Sequence, residues 1–158
     1  MKYEVKDFNE RYFAGIEFEG GVTLGDKKNL PKLWDEFLND VLEEIPSRKK
    51  GFPVIGLECY PPDFMESKVF DYYALVETES LIKSTDKYVT KKLPKGKYIS
   101  FEVSFDKLNE DIHDVYKYIK DHNVKVHKGF DFEEYLEGQK YYEPAAILNF
   151  SFLLDDKW

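Results

Sequence analysis

Tyr12–Phe18 (YFAGIEF) and Tyr98–Phe105 (YISFEVSF) decide how this sequence is read. Both are β-prone runs of aromatic and branched residues, and both lead towards an amphipathic helix. Around the first run the order is strand (Lys2–Phe8), strand (Tyr12–Glu19), helix, strand (Pro53–Tyr60), strand (Phe70–Thr78). Around the second it is strand (Tyr88–Leu93), strand (Lys97–Phe105), helix, an irregular segment, and strand (Ala145–Leu154). Phe8-Asn9-Glu10-Arg11 and Lys95-Gly96 read as tight hairpin turns. The matching order predicts an α+β fold made of duplicated ββαββ-type units, with pseudo-repeats at about residues 1–82 and 83–158 of a single domain. One antiparallel sheet then carries two long helices, and a cleft between the halves is the natural ligand site.

The helices follow from apolar spacing. Leu30, Leu33, Trp34, Phe37, Leu38, Val41, Leu42 and Ile45 form a continuous stripe, which predicts a helix from Leu30 to Ile45. Asn29 reads as its N-cap and Pro31 suits its first turn. Leu108, Ile112, Val115, Tyr116 and Ile119 predict a second helix from Leu108 to His122, capped by Asp106 or Asn109.

Composition excludes several functions. The 158 residues include 23 Lys and Arg against 31 Asp and Glu, a net charge of −8 that argues against a nucleic-acid binder. No apolar run is long enough to span a membrane. The opening residues Met1–Lys6 lack the apolar core of a signal peptide, and the single Cys59 excludes an internal disulfide, so a cytoplasmic protein is expected. His113, His122 and His127 read as surface histidines flanking a helix rather than metal ligands. There is no phosphate-binding glycine motif and no nucleophile elbow, and no cofactor is expected. Cys59 reads as a small buried apolar residue.

What remains is aromatic residues mixed with carboxylates, 27 aromatics in all (13 Phe, 12 Tyr, 2 Trp). Strand parity puts Glu58 and Tyr60 on one face, with Ile55, Leu57 and Cys59 on the other. It likewise separates Tyr72, Ala74 and Val76 from Tyr73, Leu75 and Glu77. Phe130–Tyr135 packs rings around carboxylates, and Tyr141 and Tyr142 follow. A carboxylate among rings suits a lipophilic cation. A buried carboxyl that keeps its proton suits a general acid. The plain alternative is that most tyrosines sit at a rim with hydroxyls in water, that Glu134 and Glu137 are solvated, and that Glu58 lies either in a pocket or on an exposed sheet face.

Several short motifs, in order along nearly the whole chain, carry a resemblance. They are Tyr3-Glu4-Val5-Lys6 with Ala14-Gly15-Ile16, then Ile55-Gly56-Leu57 with Tyr60-Pro61-Pro62. Phe70–Glu77, Leu93-Pro94-Lys95-Gly96-Lys97-Tyr98 and Phe132-Glu133-Glu134-Tyr135 complete them. Together they resemble the GyrI-like effector-binding domains (tandem SHS2-like units), which also serve as ligand domains of Rob-like and BmrR-like transcription activators. The resemblance implies an aromatic pocket between the halves with a buried glutamate, which by its place in Phe-Glu-x-Tyr is Glu133. Standalone members of the family include drug binders, hydrolases of cyclopropane-containing toxins and partners of DNA gyrase. The activators carry a helix-turn-helix domain for which this chain has no room, so direct DNA binding is not expected. The expected function is binding of a small hydrophobic or cationic ligand, as in drug or toxin sensing or sequestration. Glu133 is the counter-charge, and Tyr60, Tyr72, Phe101, Tyr142, Glu58 and Trp34 are the other site residues. A hydrolase using Glu133 or Glu58, and a module that binds an unidentified protein partner, are the alternatives.

Overall fold

Runs of β-branched and aromatic residues pair wherever their neighbours leave a backbone edge free, and here they build one antiparallel sheet. The computed structural model describes residues 1–26, 29–51, 53–135 and 143–155. Among these, the strands are β1 (Tyr3–Phe8), β2 (Arg11–Glu17), β3 (Val22–Thr23), β4 (Val54–Cys59), β5 (Val69–Thr78), β6 (Val89–Leu93), β7 (Gly96–Ser104), β8 (Phe130–Tyr135) and β9 (Ile147–Leu153). The helices are α1 (Leu30–Glu36), the single turn α2 (Phe64–Ser67) and α3 (Leu108–Asp121). The class is α+β, as expected.

The sheet order is β1-β7-β9-β8-β4-β5-β2-β6, with β3 added to β5. It reads alike outward from the β4–β8 seam: β5, β2, β6 on one side and β9, β7, β1 on the other. The outermost strands are exchanged. β1 pairs with β7 in the half that holds α3, and β6 pairs with β2 in the half that holds α1. The Asn9-Glu10 and Pro94-Lys95 links therefore do not close hairpins, contrary to the sequence reading of both Phe8–Arg11 and Lys95-Gly96. They tether opposite ends of the sheet and curl it.

That curl encloses one face on which no helix packs among the described residues. Phe13, Ile55, Leu57, Leu75, Leu93, Tyr98 and Phe132 meet there, drawn from both halves. The other face is covered by α1 and α3 and holds the larger core, which includes Trp34, Phe37, Tyr72, Phe101, Val115, Phe150 and Phe152. Burying both faces stabilises the sheet at about 25 cal/mol per Å² of apolar surface removed from water.

Four details differ from the sequence reading. First, the Leu30–Ile45 helix is regular only to Glu36. It continues through a π turn (Phe37–Val41) and a 3-10 turn (Leu42–Glu44). Its stripe steps by four from Phe37 to Val41 to Ile45, which drifts on a helix of 3.6 residues per turn; the wider turn keeps Val41 on the sheet. Second, the expected caps are not made. Asn29 stands at the N-cap without a side-chain bond, and Lys107 occupies that place in α3, while Asp111 accepts from the Ser104 amide instead. Third, β3 was not anticipated. Fourth, Phe130–Tyr135, read as irregular, is the central strand β8. No described helix is long and apolar enough to cross a membrane.

Candidate functional site

Strand period and register bring the chemistry together. On β4, Gly56 and Glu58 face the helices, while Ile55 and Leu57 face the enclosed side. Glu58 lies opposite Asp131 and Gly56 opposite Glu133, so three carboxyl groups share one face of two adjacent central strands. They are 4% (Glu58), 2% (Asp131) and 4% (Glu133) exposed.

Rings close over them. Gly56 and Ala74 flank this row, and their small size leaves room that the Tyr72 ring fills. A Cβ at Gly56 would collide with the Tyr72 hydroxyl. Trp34, from α1, donates its indole N–H to Tyr72 Oη at 3.0 Å and sets its ring edge-on to Tyr135 at 5.2 Å. Tyr60 Oη lies 2.8 Å from both Glu58 Oε2 and Asp131 Oδ2. Tyr116, from α3, donates to Asp131 Oδ2 at 3.3 Å. Phe64 of α2 stands edge-on to Tyr60 at 4.8 Å. Tyr60 and Tyr116 are partly exposed and form the solvent side of the cluster.

The electrostatics are those of acid crowded on acid. Burial, then the Glu58 charge, hold the Asp131 carboxyl well above the usual carboxylate range, against the lowering effect of the Tyr60 hydroxyl. Burial and the charges of Glu58 and Asp131 likewise keep Tyr60 protonated far above its ordinary range. Tyr72 is raised by burial and by Glu133, and Tyr116 by burial and by Asp131.

The structure brings Glu133, Glu58, Tyr60, Tyr72 and Trp34 together. Phe101 shares their face but lies two strands from Glu133, across Phe150, packed against Tyr118 and Phe152. Tyr142 and Glu137 lie outside the described residues. Asp131, Tyr116 and Tyr135 were missed. Asp131 is two residues from Glu133, so recognising β8 as a strand would have put both on one face. The tyrosines at the seam are not rim residues with hydroxyls in water: Tyr60 and Tyr116 bond carboxylates. Glu134 is not simply solvated either, since it accepts from Arg11 at 3.1 Å. Cys59 is half-buried with its thiol pushed up to about 11 by burial, which suits no nucleophile. His122 stacks on Tyr118 at 4.0 Å.

A surface groove of about 570 Å³ runs along Gly15–Glu19, the side of α1 that carries Lys32, Leu33 and Glu36, and Thr85–Val89. None of the predicted site residues lines it. The convergence of rings and carboxyls lies at the seam, where Trp34 and Tyr72 are closed over the acids.

Comparison with known proteins agrees with this architecture. The family of integron-associated effector binding proteins (Cass2) matches residues 4–147. Among solved structures, SAV2435 bound to tetraphenylphosphonium superposes with a TM-score of 0.75 at 17% identity, over 99% of this chain and 96% of that one. An integron cassette protein of Vibrio cholerae, VCH_CASS2, gives 0.62 at 21% identity, over 97% and 95%. The EcmrR C-terminal domain gives 0.72 at 12% identity, over 98% and 97%. These structural likenesses are of fold. No curated protein matches the chain in sequence.

Proposed function

Because the chain belongs to the integron-associated effector binding proteins, a GyrI-like effector-binding family, we propose that it binds lipophilic organic cations at the β4–β8 seam. Glu133 is the anionic anchor, Trp34, Tyr60 and Tyr72 are walls, and Glu58 adds negative potential. The observation that carries this reading is the placement of three carboxyl groups, each under 5% exposed, among tyrosine and tryptophan rings. Ionised carboxylates are costly to bury, and a desolvated cation repays that cost through charge and through ring faces. The tetraphenylphosphonium bound by SAV2435, a neighbour in fold, is of this chemistry. A ligand must displace the rings that cover the acids, so binding is expected to move Trp34. Such a protein would sense or sequester toxic cations.

The test is a thermal-shift titration with tetraphenylphosphonium on the wild type and on Glu133→Gln. A wild-type rise in Tm is expected by binding linkage, with affinity in the variant weakened by about 2 kcal/mol or more. An equal rise in both would remove Glu133 as anchor. A hydrolase reading draws on the proton that Asp131 retains; turnover of a cyclopropane-bearing substrate would favour it, and binding without product would favour the binder.

A further inference from the structure

The bond geometry around Tyr60 counts protons. Its hydroxyl carries one proton yet sits 2.8 Å from an oxygen of each of two carboxyl groups. One contact is satisfied by that proton. If Glu58 and Asp131 were both ionised, the other contact would set a hydroxyl lone pair against a carboxylate lone pair. A hydrogen bond at that distance needs a proton between the two atoms. Tyr116 adds its own proton on Asp131 Oδ2 and does not serve the second Tyr60 contact. Asp131 Oδ1 is buried and accepts no hydrogen bond from the described residues, while Glu58 lies directly opposite.

We propose that the Glu58–Asp131 pair holds one exchangeable proton, and that its release fits the site for ligands with two positive centres. This rests on the cation-binding reading of the seam and specifies its charge class. Asp131 and Glu133 are two residues apart on β8, which places them about 7 Å apart along the strand. A monocation engages Glu133 while the pair keeps its proton. A second positive centre at that spacing replaces the proton, so the acid pair presents a full extra negative charge. The groups that face Asp131 are Glu58 and Tyr60 on and beside β4, Glu133 on β8 and Tyr116 on α3. Tyr72 on β5 is influenced by both Glu133 and Glu58 and links the two loci. The direction of the Asp131 shift agrees with a retained proton.

Two measurements test this. In the ligand-free protein, carboxyl-carbon NMR at neutral pH is expected to show a protonated side-chain carboxyl that disappears in Asp131→Asn; Glu58→Gln, which should move the same signal, serves if the first variant folds poorly. Only ionised carboxylates in the wild type would overturn the proposal whether or not any ligand binds. Calorimetry of the wild type in buffers of different ionisation enthalpy then compares tetraphenylphosphonium with a rigid bis-pyridinium dication. The dication is expected to release about one proton and the monocation close to none. In Asp131→Asn the ratio of dication to monocation affinity is expected to fall about tenfold. Equal proton release by the two probes, or an unchanged ratio, would overturn it. Failure of both probes to bind would sink the cation-binding reading itself, and the coupling with it, while the NMR result on the proton would stand.

Discussion

The two faces of the sheet bury carboxylates in opposite ways. On the enclosed face, Glu77 is 4% exposed and receives both Nε and Nη2 of Arg11, at 3.1 and 2.9 Å, and Lys49 at 2.9 Å. Burial works against its charge, but the Arg11 hydrogen bonds and charge outweigh it, and Glu77 is held below its ordinary range. Burial also works against Arg11, and bonds to Glu77 with the Glu134 and Glu77 charges leave the guanidinium above its ordinary value. Phe8 and Phe13 lie under the guanidinium at 4.7 and 5.2 Å. On the helix face, Asp131 faces Glu58 and Glu133 and is pushed the other way. The first face pairs acid with base in a structural tie across β2, β5 and β8; the second sets acid beside acid. Equal burial therefore marks a structural tie in one place and the proposed binding site in the other, and the neighbours decide which.

The largest expected effect breaks the paired side. Arg11→Met leaves Glu77 buried against the half-exposed Lys49 and is expected to cost about 3–5 kcal/mol in urea unfolding. Asp131→Asn replaces a carboxyl that holds its proton with a neutral side chain of the same shape and should cost far less. A reversal of that order would mean that the acids at the seam, not the Arg11 tie, hold the sheet together.

Next comes the packing that seats the rings. Gly56→Ala forces Tyr72 aside and is expected to cost about 1–3 kcal/mol. Combining it with Tyr72→Phe, which removes the hydroxyl that a Cβ would strike, should recover part of that loss. Strict additivity of the two changes would show that the contact is not the cause.

The faces should also separate by pH. Glu77 lies below its ordinary 4.5, so its contribution is in place above 4.5 and is lost as pH falls through the folded value. Asp131 lies above its ordinary 3.8, so the folded state binds that proton more tightly than the unfolded chain. Its contribution is in place at low pH and is lost as pH rises from 3.8 through the folded value. Thermal melts across pH should show Asp131→Asn flattening the high-pH decline while leaving the acid limb in place. An unchanged high-pH limb would mean that Asp131 is not the group that titrates there.

Much of this was legible because it depends on periods. A repeat of two put Glu58 with Tyr60 and Tyr72 with Ala74, and a repeat near 3.6 put Trp34 on the face of α1 that meets the sheet. Glu133 came from the Phe-Glu-x-Tyr resemblance. Asp131 was hidden because β8 has both faces buried and turns its carboxylates inward, so it lacks the apolar-in, polar-out alternation that announces a strand. Arg11 was hidden because it reads as part of a turn, and its partners Glu77 and Glu134 are distant in sequence. Register across strands is set by tertiary pairing, and one sequence contains no direct record of it.

The smallest effects compare one hydroxyl on each face. Tyr72→Phe removes the hydroxyl that accepts the Trp34 indole N–H, and Trp34 is fully buried. A loss of about 1–2 kcal/mol is expected. Tyr98 Oη, on the enclosed face, donates to the Pro94 carbonyl at 2.7 Å, but Pro94 lies in an exposed turn. Tyr98→Phe leaves that carbonyl to water and should cost only about 0.5 kcal/mol. Tyr72→Phe should also shift the emission of Trp34, read in a Trp158→Phe background so that only one indole reports. If Tyr98→Phe proves the more costly of the two, the turn at Pro94 holds the curl of the sheet more firmly than its exposure suggests. The difference between the faces would then lie in how each is fastened as well as in how its carboxylates are paired.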